Sequence, residues 1–186
     1  MVELEGEAYF VVRHDTARPF VVRTAHGTTE DLGTQFDVRA YREEHLQVVV
    51  AEGRVVLRPT ARAGAAAPLT LRPRERGVID SRGTLSRTRG IPVGQYVSWT
   101  RGVLWFHEAP LRSVTAQLGR WYDLDIAVSD TSLAAETLTM SFGSQSADEA
   151  LATLAKVLDV RFTRAGRSVL LISSPAEPSH SHMEDD

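Results

Sequence analysis

The second half of the chain repeats itself, and this duplication constrains the fold more than any other feature of the sequence. An offset of 36 residues aligns five pairs of apolar residues: Phe106 with Phe142, Leu118 with Leu154, Tyr122 with Leu158, Leu124 with Val160, and Ile126 with Phe162. In each copy a strand-like run precedes an apolar stripe with helical spacing, and a second short run follows. Neither copy can bury its helix stripe alone, so the two strand–helix–strand units should pack into one small α+β core.

Local signals place the two helices of the repeat. Pro110 suits the first turn of a helix, because its missing N–H would be unpaired there in any case. One apolar face of this helix is predicted to contain Leu111, Val114, Leu118, Trp121 and Tyr122. Ser146, with Glu149 three residues later, has the pattern of a capping box and predicts the start of the second helix.

The first half has the closely spaced turn signals that are typical of an all-β protein. Short runs of β-branched and aromatic residues alternate with turn signals every eight to twelve positions, which is typical of a sandwich, a barrel or a β-helix. The segment from Gln35 to Tyr41 alternates polar and apolar residues, so one of its faces should be buried. Val48 to Val50 is apolar on both faces and should form a more central strand.

These patterns predict a mainly β plus α+β protein with three segments. Residues 1–92 should form an all-β domain, either a sandwich or a β-helix-like fold. Residues 93–174 should form the βαβ-duplicated domain, with its two helices packed between small sheets. The polar, acidic tail over 175–186 should be disordered.

Composition excludes several classes of protein. The chain has no cysteine, which rules out disulfides and thiolate zinc sites. The net charge of -3 gives no general electrostatic reason to bind nucleic acid. The N-terminus has neither a basic start nor an apolar run, and no apolar run approaches the length of a membrane span, so any membrane anchor is expected outside this chain.

Residues able to carry catalysis are present but not grouped. His14, His26, His45 and His107 have no metal-ligand spacing, and His180 and His182 lie on the tail. No phosphate loop or dinucleotide fingerprint occurs, so no catalytic, cofactor-binding or metal residue is assigned and no cofactor is expected. The chain is therefore predicted not to be an enzyme, with a hydrolase as the least favoured alternative.

Two local patterns have both a chemical and a structural interpretation. The stretch Gly143 to Ala147 resembles a serine elbow, yet Gln145 stands where the nucleophile belongs, which favours a loop that caps the next helix. Asp123 and Asp125 flank Leu124 at a corner between helix and strand. Paired carboxylates can be catalytic, but here they should face water on either side of a buried leucine.

The stretch from 58 to 101 is rich in arginine: Arg58, Arg62, Arg72, Arg74, Arg76, Arg82, Arg87, Arg89 and Arg101. One interpretation is a basic patch for anionic lipid headgroups, nucleic acid or an acidic protein surface. The other is a solvated β region, which is favoured because aromatic residues do not interleave with the arginines.

The N-terminal motifs resemble the FecR family of transmembrane regulators. They are Leu4 to Phe10, Arg18 to Val22, Leu32 to Val38, and Glu52 to Val55, with Asp37 standing where the family usually carries asparagine. Downstream, the run Leu104-Trp105-Phe106 and the helix after Pro110 are similar to the short signalling fold of secretins and TonB-dependent receptors. The resemblance covers about residues 3 to 173, and it suggests that the chain starts inside the β domain.

The resemblance implies the periplasmic sensor part of an inner-membrane anti-sigma factor or sigma regulator. Such a part would bind the signalling domain of a TonB-dependent outer-membrane receptor and so control uptake of iron or another nutrient. The sigma factor would be bound by a cytoplasmic segment, and the membrane crossed by a helix, that are absent from this chain. The alternative is a structural or surface β module that binds an anionic polymer or another protein.

Receptor binding is expected to use strand edges of the C-terminal domain. An exposed edge can add a strand from a partner by main-chain hydrogen bonding. The candidate edges are those of the strands from Thr137 to Phe142 and from Ser168 to Ile172. Thr139, Ser141 and Ser168 are the side chains expected to point outward and contact the partner.

Overall fold

The structure is a computed structural model that describes residues 1–13, 15, 19–31, 33–60 and 67–173. The predicted tail over 175–186 and three of the histidines, His14, His180 and His182, lie outside these residues. The chain divides into two compact units, Met1–Arg101 and Gly102–Asp186. The boundary falls after Arg101, whereas the sequence placed it after Pro92, because two short helical turns in between belong to the first unit.

The first unit is a sandwich of two five-stranded sheets. One sheet has the order β1-β3-β4-β7-β8 and the other β10-β9-β6-β5-β2. All neighbours are antiparallel except β1 and β3. The strands are β1 (Val2–Glu3), β2 (Gly6–Val11), β3 (Phe20–Arg23), β4 (Gly27–Asp31), β5 (Gln35–Ala40), β6 (Leu46–Glu52), β7 (Val55–Pro59), β8 (Leu69–Leu71), β9 (Glu75–Ile79) and β10 (Leu85–Arg89).

The core of this unit lies between the two sheets. Val22, Leu57 and Leu71 from the first sheet meet Phe36, Val48 and other apolar residues from the second. Val48, Val49 and Val50 are all fully buried, and β6 is the middle strand of its sheet, which confirms the central position predicted for this run. Gly77 allows close approach of the sheets, because a Cβ there would lie 2.7 Å from the Leu71 Cδ1.

Two short helical turns end the first unit. Helix α1 (Val93–Tyr96) is followed by a 3₁₀ helix (Ser98–Arg101). The side chain of Trp99 in the 3₁₀ helix reaches β5, where its Nε1–H donates a hydrogen bond to Asp37 Oδ1 at 3.1 Å. The outer face of β5, expected to meet water, is therefore covered at this point, and Asp37 is fully buried.

The second unit contains the predicted duplication. Its elements are β11 (Leu104–Pro110), α2 (Leu111–Tyr122), β12 (Asp125–Val128), α3 (Thr131–Ala135), β13 (Thr137–Phe142), α4 (Ala147–Leu158), β14 (Val160–Ala165) and β15 (Ser168–Ser173). β11 and β13 form a two-stranded antiparallel sheet, and β12, β15 and β14 form a three-stranded sheet in that order. Helix α2 contacts strands of both sheets, as expected for helices packed between them.

The repeat is visible residue by residue. Helices α2 and α4 have the same length and stand 36 positions apart, which is the offset found in the sequence. Trp105 on β11 pairs with Ser141 on β13, and each is the counterpart of the other in the repeat. A pseudo-two-fold axis therefore passes between these two strands. On the inner face the rings of Phe106 and Phe142 meet edge to face at 5.9 Å between centroids.

Helix α2 differs from its prediction at one position. Leu111, Val114 and Leu118 are buried as expected, but Trp121 is 39% exposed. Thr115 and Gly119 complete the buried face instead, because positions three and four apart along a helix share one side.

Candidate functional site

The two-stranded sheet of the second unit presents an outer face with two of the predicted contact residues. Thr139 and Ser141 are exposed on β13, and Trp105, opposite Ser141, is 39% exposed. Leu138 and Phe142 on either side of this pair are buried, and Met140 between them is partly buried, so the strand alternates between core and surface. The side chains on this face are therefore free to meet a partner.

The Thr139 side chain also stabilises a bulge in the neighbouring strand β11. The pairing of β11 with β13 shifts its register between Phe106 and Ala109, and Glu108 within this bulge has a φ of 45°. The main-chain N–H of Glu108 donates a hydrogen bond of 2.9 Å to Thr139 Oγ1. A change at Thr139 would therefore disturb the bulge as well as the surface, which makes Ser141 the cleaner probe of binding.

β13 has an open edge. Within the part of the chain that the structure describes, β11 is its only strand neighbour, so the main-chain groups on its second side are unpaired by any strand. An edge of six residues is long enough to hydrogen-bond an incoming extended segment. The geometry of this strand fits the predicted mode of binding.

The prediction that β15 is an edge strand is wrong. β15, which contains Ser168, lies between β12 and β14, so its main chain is engaged on both sides and cannot accept another strand. The Ser168 side chain is exposed, and so is Leu170 on the same face, with 39% of its surface accessible. Ser168 can contact a partner only through its side chain. The edges of this sheet are β12 and β14.

A groove runs beside the edge strand β12. Its volume is about 310 Å³, and it lies between α2 and β12. The lining residues are Thr115, Ala116, Gly119, Arg120, Asp123, Leu124, Asp125, Ile126 and Arg167. Gly119 brings the helix close to the strand, since a Cβ there would lie 2.6 Å from the main-chain oxygen of Leu124. No sequence pattern predicts this groove, because it depends on the distance between two elements.

The predicted interpretation of Asp123 and Asp125 is confirmed. Their side chains are 76% and 73% exposed, and Leu124 between them is 6% exposed. Arg167 approaches both, with Nη2 2.7 Å from Asp123 Oδ1 and Nε 4.0 Å from Asp125 Oδ2. Carboxylates paired with arginine at the surface contribute at most about 1 kcal/mol to stability.

The loop after β13 is structural, as its sequence indicates. Ser146 Oγ accepts from the Glu149 main-chain N–H at 3.3 Å, and Glu149 Oε2 accepts from the Ser146 N–H at 2.8 Å. These bonds form a complete capping box at the start of α4. The Ser146 main-chain N–H, and then the Ser146 hydroxyl, which also donates to Glu149 Oε2, lower the pKa of Glu149. Gln145 in turn accepts hydrogen bonds from the Gly143 main chain and from the Tyr122 hydroxyl.

Neither a metal site nor a membrane span is found in the described part of the chain. Among those residues no three His, Asp or Glu side chains gather in a way that could hold a metal ion. None of the helices there combines the length and hydrophobicity needed to cross a membrane.

Several arginines of the 58–101 stretch have partners within the first unit. Arg89 Nε lies 3.0 Å from Glu75 Oε1, and Arg87 lies 4.0 Å from the same carboxylate. Arg58 lies 3.5 Å from Glu30. These pairs favour the interpretation of a charged β surface over that of a dedicated polyanion site. Charges on β10, an edge strand, also discourage pairing with other chains.

Comparison with known proteins identifies both halves of the chain. Residues 1–56 match the family model described as FecR protein, and residues 103–171 match the one described as FecR, C-terminal. No curated protein sequence matches the chain.

Two crystal structures of a candidate anti-sigma factor from Parabacteroides distasonis have the same fold. One superposes with a TM-score of 0.81 at 25% identity and covers 93% of this chain and 80% of its own. The other gives a TM-score of 0.80 at 26% identity, with coverage of 93% and 79%. The similarity extends over both units of the chain.

Proposed function

The chain belongs to the FecR family of sigma regulators, and we propose that it forms the periplasmic sensor region of such a regulator. In this proposal the second unit binds the signalling domain of a TonB-dependent outer-membrane receptor. Binding reports that the receptor is loaded with iron or another nutrient, and the regulator then controls an extracytoplasmic-function sigma factor. The sigma factor contact and the membrane helix are assigned to segments outside residues 1–186.

The observation that carries this proposal is the open edge of β13. Its six residues have one strand neighbour among the described residues, and the exposed Thr139 and Ser141 lie on its outer face. Strand addition supplies affinity through main-chain hydrogen bonds, while side chains on alternate positions supply specificity. A short edge strand with an exposed tryptophan, Trp105, on its neighbour β11 suits a partner that is itself a small β-containing domain.

The test is a direct binding measurement. The chain is titrated with the isolated signalling domain of the receptor encoded beside it, and the heat of binding is recorded by calorimetry. We expect a dissociation constant in the low micromolar range or below, which corresponds to about -8 kcal/mol. No binding at tens of micromolar would contradict the proposal, as would binding that survives deletion of residues 102–186.

A further inference from the structure

Asp37 is an ionisable residue buried in an unusual place. Its neighbours on β5, Phe36 and Val38, point into the core between the sheets, so Asp37 points to the opposite face. Its cross-strand partners are Tyr9 on β2 and Val49 on β6. A carboxyl group on an outer face normally lies in water, yet Asp37 has no exposed surface.

The segment from Val93 to Arg101 provides the cover. Trp99 Nε1–H donates to Asp37 Oδ1 at 3.1 Å. A second contact holds the same segment, in which Arg76 Nη1–H on β9 donates to the Tyr96 hydroxyl at 3.2 Å. The segment ends at Arg101, and the second unit begins at the next residue. These two contacts therefore fix the last stretch of the first unit to its sheet.

The carboxyl group of Asp37 is poorly satisfied as an anion. Its Oδ2 is buried and has no hydrogen-bond partner among the described residues, so Trp99 is the only donor the structure gives it. A buried carboxylate with one neutral donor is costly, and the neutral acid relieves that cost.

Nearby charges do not reverse the preference of Asp37 for its neutral form. On β2, the Glu7 carboxylate acts on Asp37, and the Tyr9 hydroxyl donates to Gln35 Oε1 at 3.1 Å. Arg39 on β5 is attractive but already binds Glu44, with Nη2 2.8 Å from Oε2.

On the remaining elements, Arg76 of β9 is bound to Tyr96 of α1, and Glu52 at the end of β6 accepts from Gln35 Nε2 at 2.6 Å. Burial first, and then Glu7, raises the pKa of Asp37 well above 3.8, against the opposing effects of Trp99 and Arg39.

We propose that Asp37 and Trp99 form a protonation-dependent latch on the segment that leads into the second unit. The neutral carboxyl group tolerates burial beneath Trp99 and the 93–101 segment. Ionisation favours opening of the segment, because the cost of burying the anion exceeds the gain from its one hydrogen bond to Trp99. The pKa of Asp37 in the folded state is raised, so the contribution of its neutral form to folding stability is complete below the unfolded value of 3.8. It is lost as the pH rises through the folded value. The latch is closed in acid and weakened towards alkaline pH.

Indole resonances provide the test. The chain has three tryptophans, so the ¹⁵N-labelled protein gives three indole N–H signals, and Trp99→Phe assigns the relevant one. We expect the Trp99 signal to titrate with a midpoint above 3.8, while Trp105 and Trp121 serve as internal references. Protection of the Trp99 indole from hydrogen exchange should fall at least about tenfold across the midpoint.

Two variants make the test specific. Asp37→Asn keeps the acceptor oxygen but cannot ionise, so the Trp99 signal should no longer titrate. Glu7→Gln should move the wild-type midpoint to lower pH, because it removes a like charge. The proposal is overturned if the Trp99 signal is independent of pH in the wild type, or if it titrates unchanged in Asp37→Asn. Should Asp37→Asn fail to fold, an unchanged midpoint in Glu7→Gln overturns it.

Discussion

Asp123 and Asp159 occupy the same position in the two repeats, and both adopt the left-handed backbone conformation, with φ of 56° and 52°. Each ends a helix of twelve residues, and each main-chain N–H bonds a carbonyl one turn earlier, that of Gly119 or Ala155. The left-handed C-cap turns the chain sharply from helix into strand. Both halves of the second unit therefore end their helix with a left-handed aspartate cap at the same repeat position.

Glycine at the second cap should stabilise the protein. Asp159→Gly removes the steric cost of the left-handed conformation, and we expect the free energy of unfolding to rise by about 0.5–1 kcal/mol. Asp159→Val should lower it by about 1 kcal/mol or more, because a β-branched residue fits this conformation poorly. Asp123→Gly should gain less, since it also removes the ion pair with Arg167. Urea denaturation compares the three variants, and a loss of stability in Asp159→Gly equal to that in Asp159→Val would count against this account.

Close approach of the two sheets should make Gly77 intolerant of a side chain. In Gly77→Ala the new Cβ would lie 2.7 Å from Leu71 Cδ1 and 2.9 Å from Leu57 Cδ2, so the free energy of unfolding should fall by about 1–3 kcal/mol. Gly94→Ala is the control, because that position on α1 has nothing within 4 Å. The control should be neutral or slightly stabilised. Thermal unfolding measures the loss of stability in both variants. Equal losses in the two would show that packing between the sheets is not the cause.

The capping box of α4 should make stability depend on pH in acid. Hydrogen bonds from the Ser146 main chain and hydroxyl lower the pKa of Glu149, so its contribution is present above the unfolded value of 4.5. It is lost as the pH falls through the lower folded value. The stability difference between wild type and Glu149→Gln should therefore shrink as the pH is lowered below 4.5, as measured by urea denaturation in a pH series.

Removal of the capping hydroxyl itself should be measurable at neutral pH. Ser146→Ala should cost about 1 kcal/mol, because an N-cap acceptor is lost. Ser144→Ala, in the same loop, is the matched control and should be nearly neutral. If both serines behave alike in urea denaturation, the capping box does not stabilise α4.

Receptor binding should distinguish two exposed serines, Ser141 and Ser168. Ser141→Lys places a charge on an open edge strand, which opposes strand addition, so the affinity should fall at least about tenfold. Ser168→Lys makes the same change on the central strand β15 and should alter the affinity by less than threefold or so. Calorimetric titrations of both variants give the comparison. A larger loss in Ser168→Lys would place the interface on the three-stranded sheet.

The duplicated unit could be predicted because its signals are local. The helical spacing of Leu111, Val114 and Leu118 and the capping pair Ser146 and Glu149 are each contained within a few residues. Buried apolar runs such as Val48 to Val50 are equally local, and they predicted the middle strand of a sheet correctly.

The features that were missed depend on distant parts of the chain. β4 is the middle strand of its sheet, but its sequence from Gly27 to Asp31 is polar and shows no strand pattern. Only one face of the segment from Gln35 to Tyr41 was expected to be buried, yet Asp37 on the other face is covered by Trp99, more than sixty residues later. The central position of Ser168 follows from the order of strands, which no local pattern encodes.

Trp105 and Ser141 pair as the two halves of a symmetric dimer would. Because each is the counterpart of the other, the contact that closes the second unit is self-complementary. Each half of the second unit therefore supplies the strand that the other half needs to complete this sheet, and covalent linkage keeps the two together at any protein concentration. The symmetry is not exact: Gly119 in one helix corresponds to Ala155 in the other, and a groove is found beside Gly119.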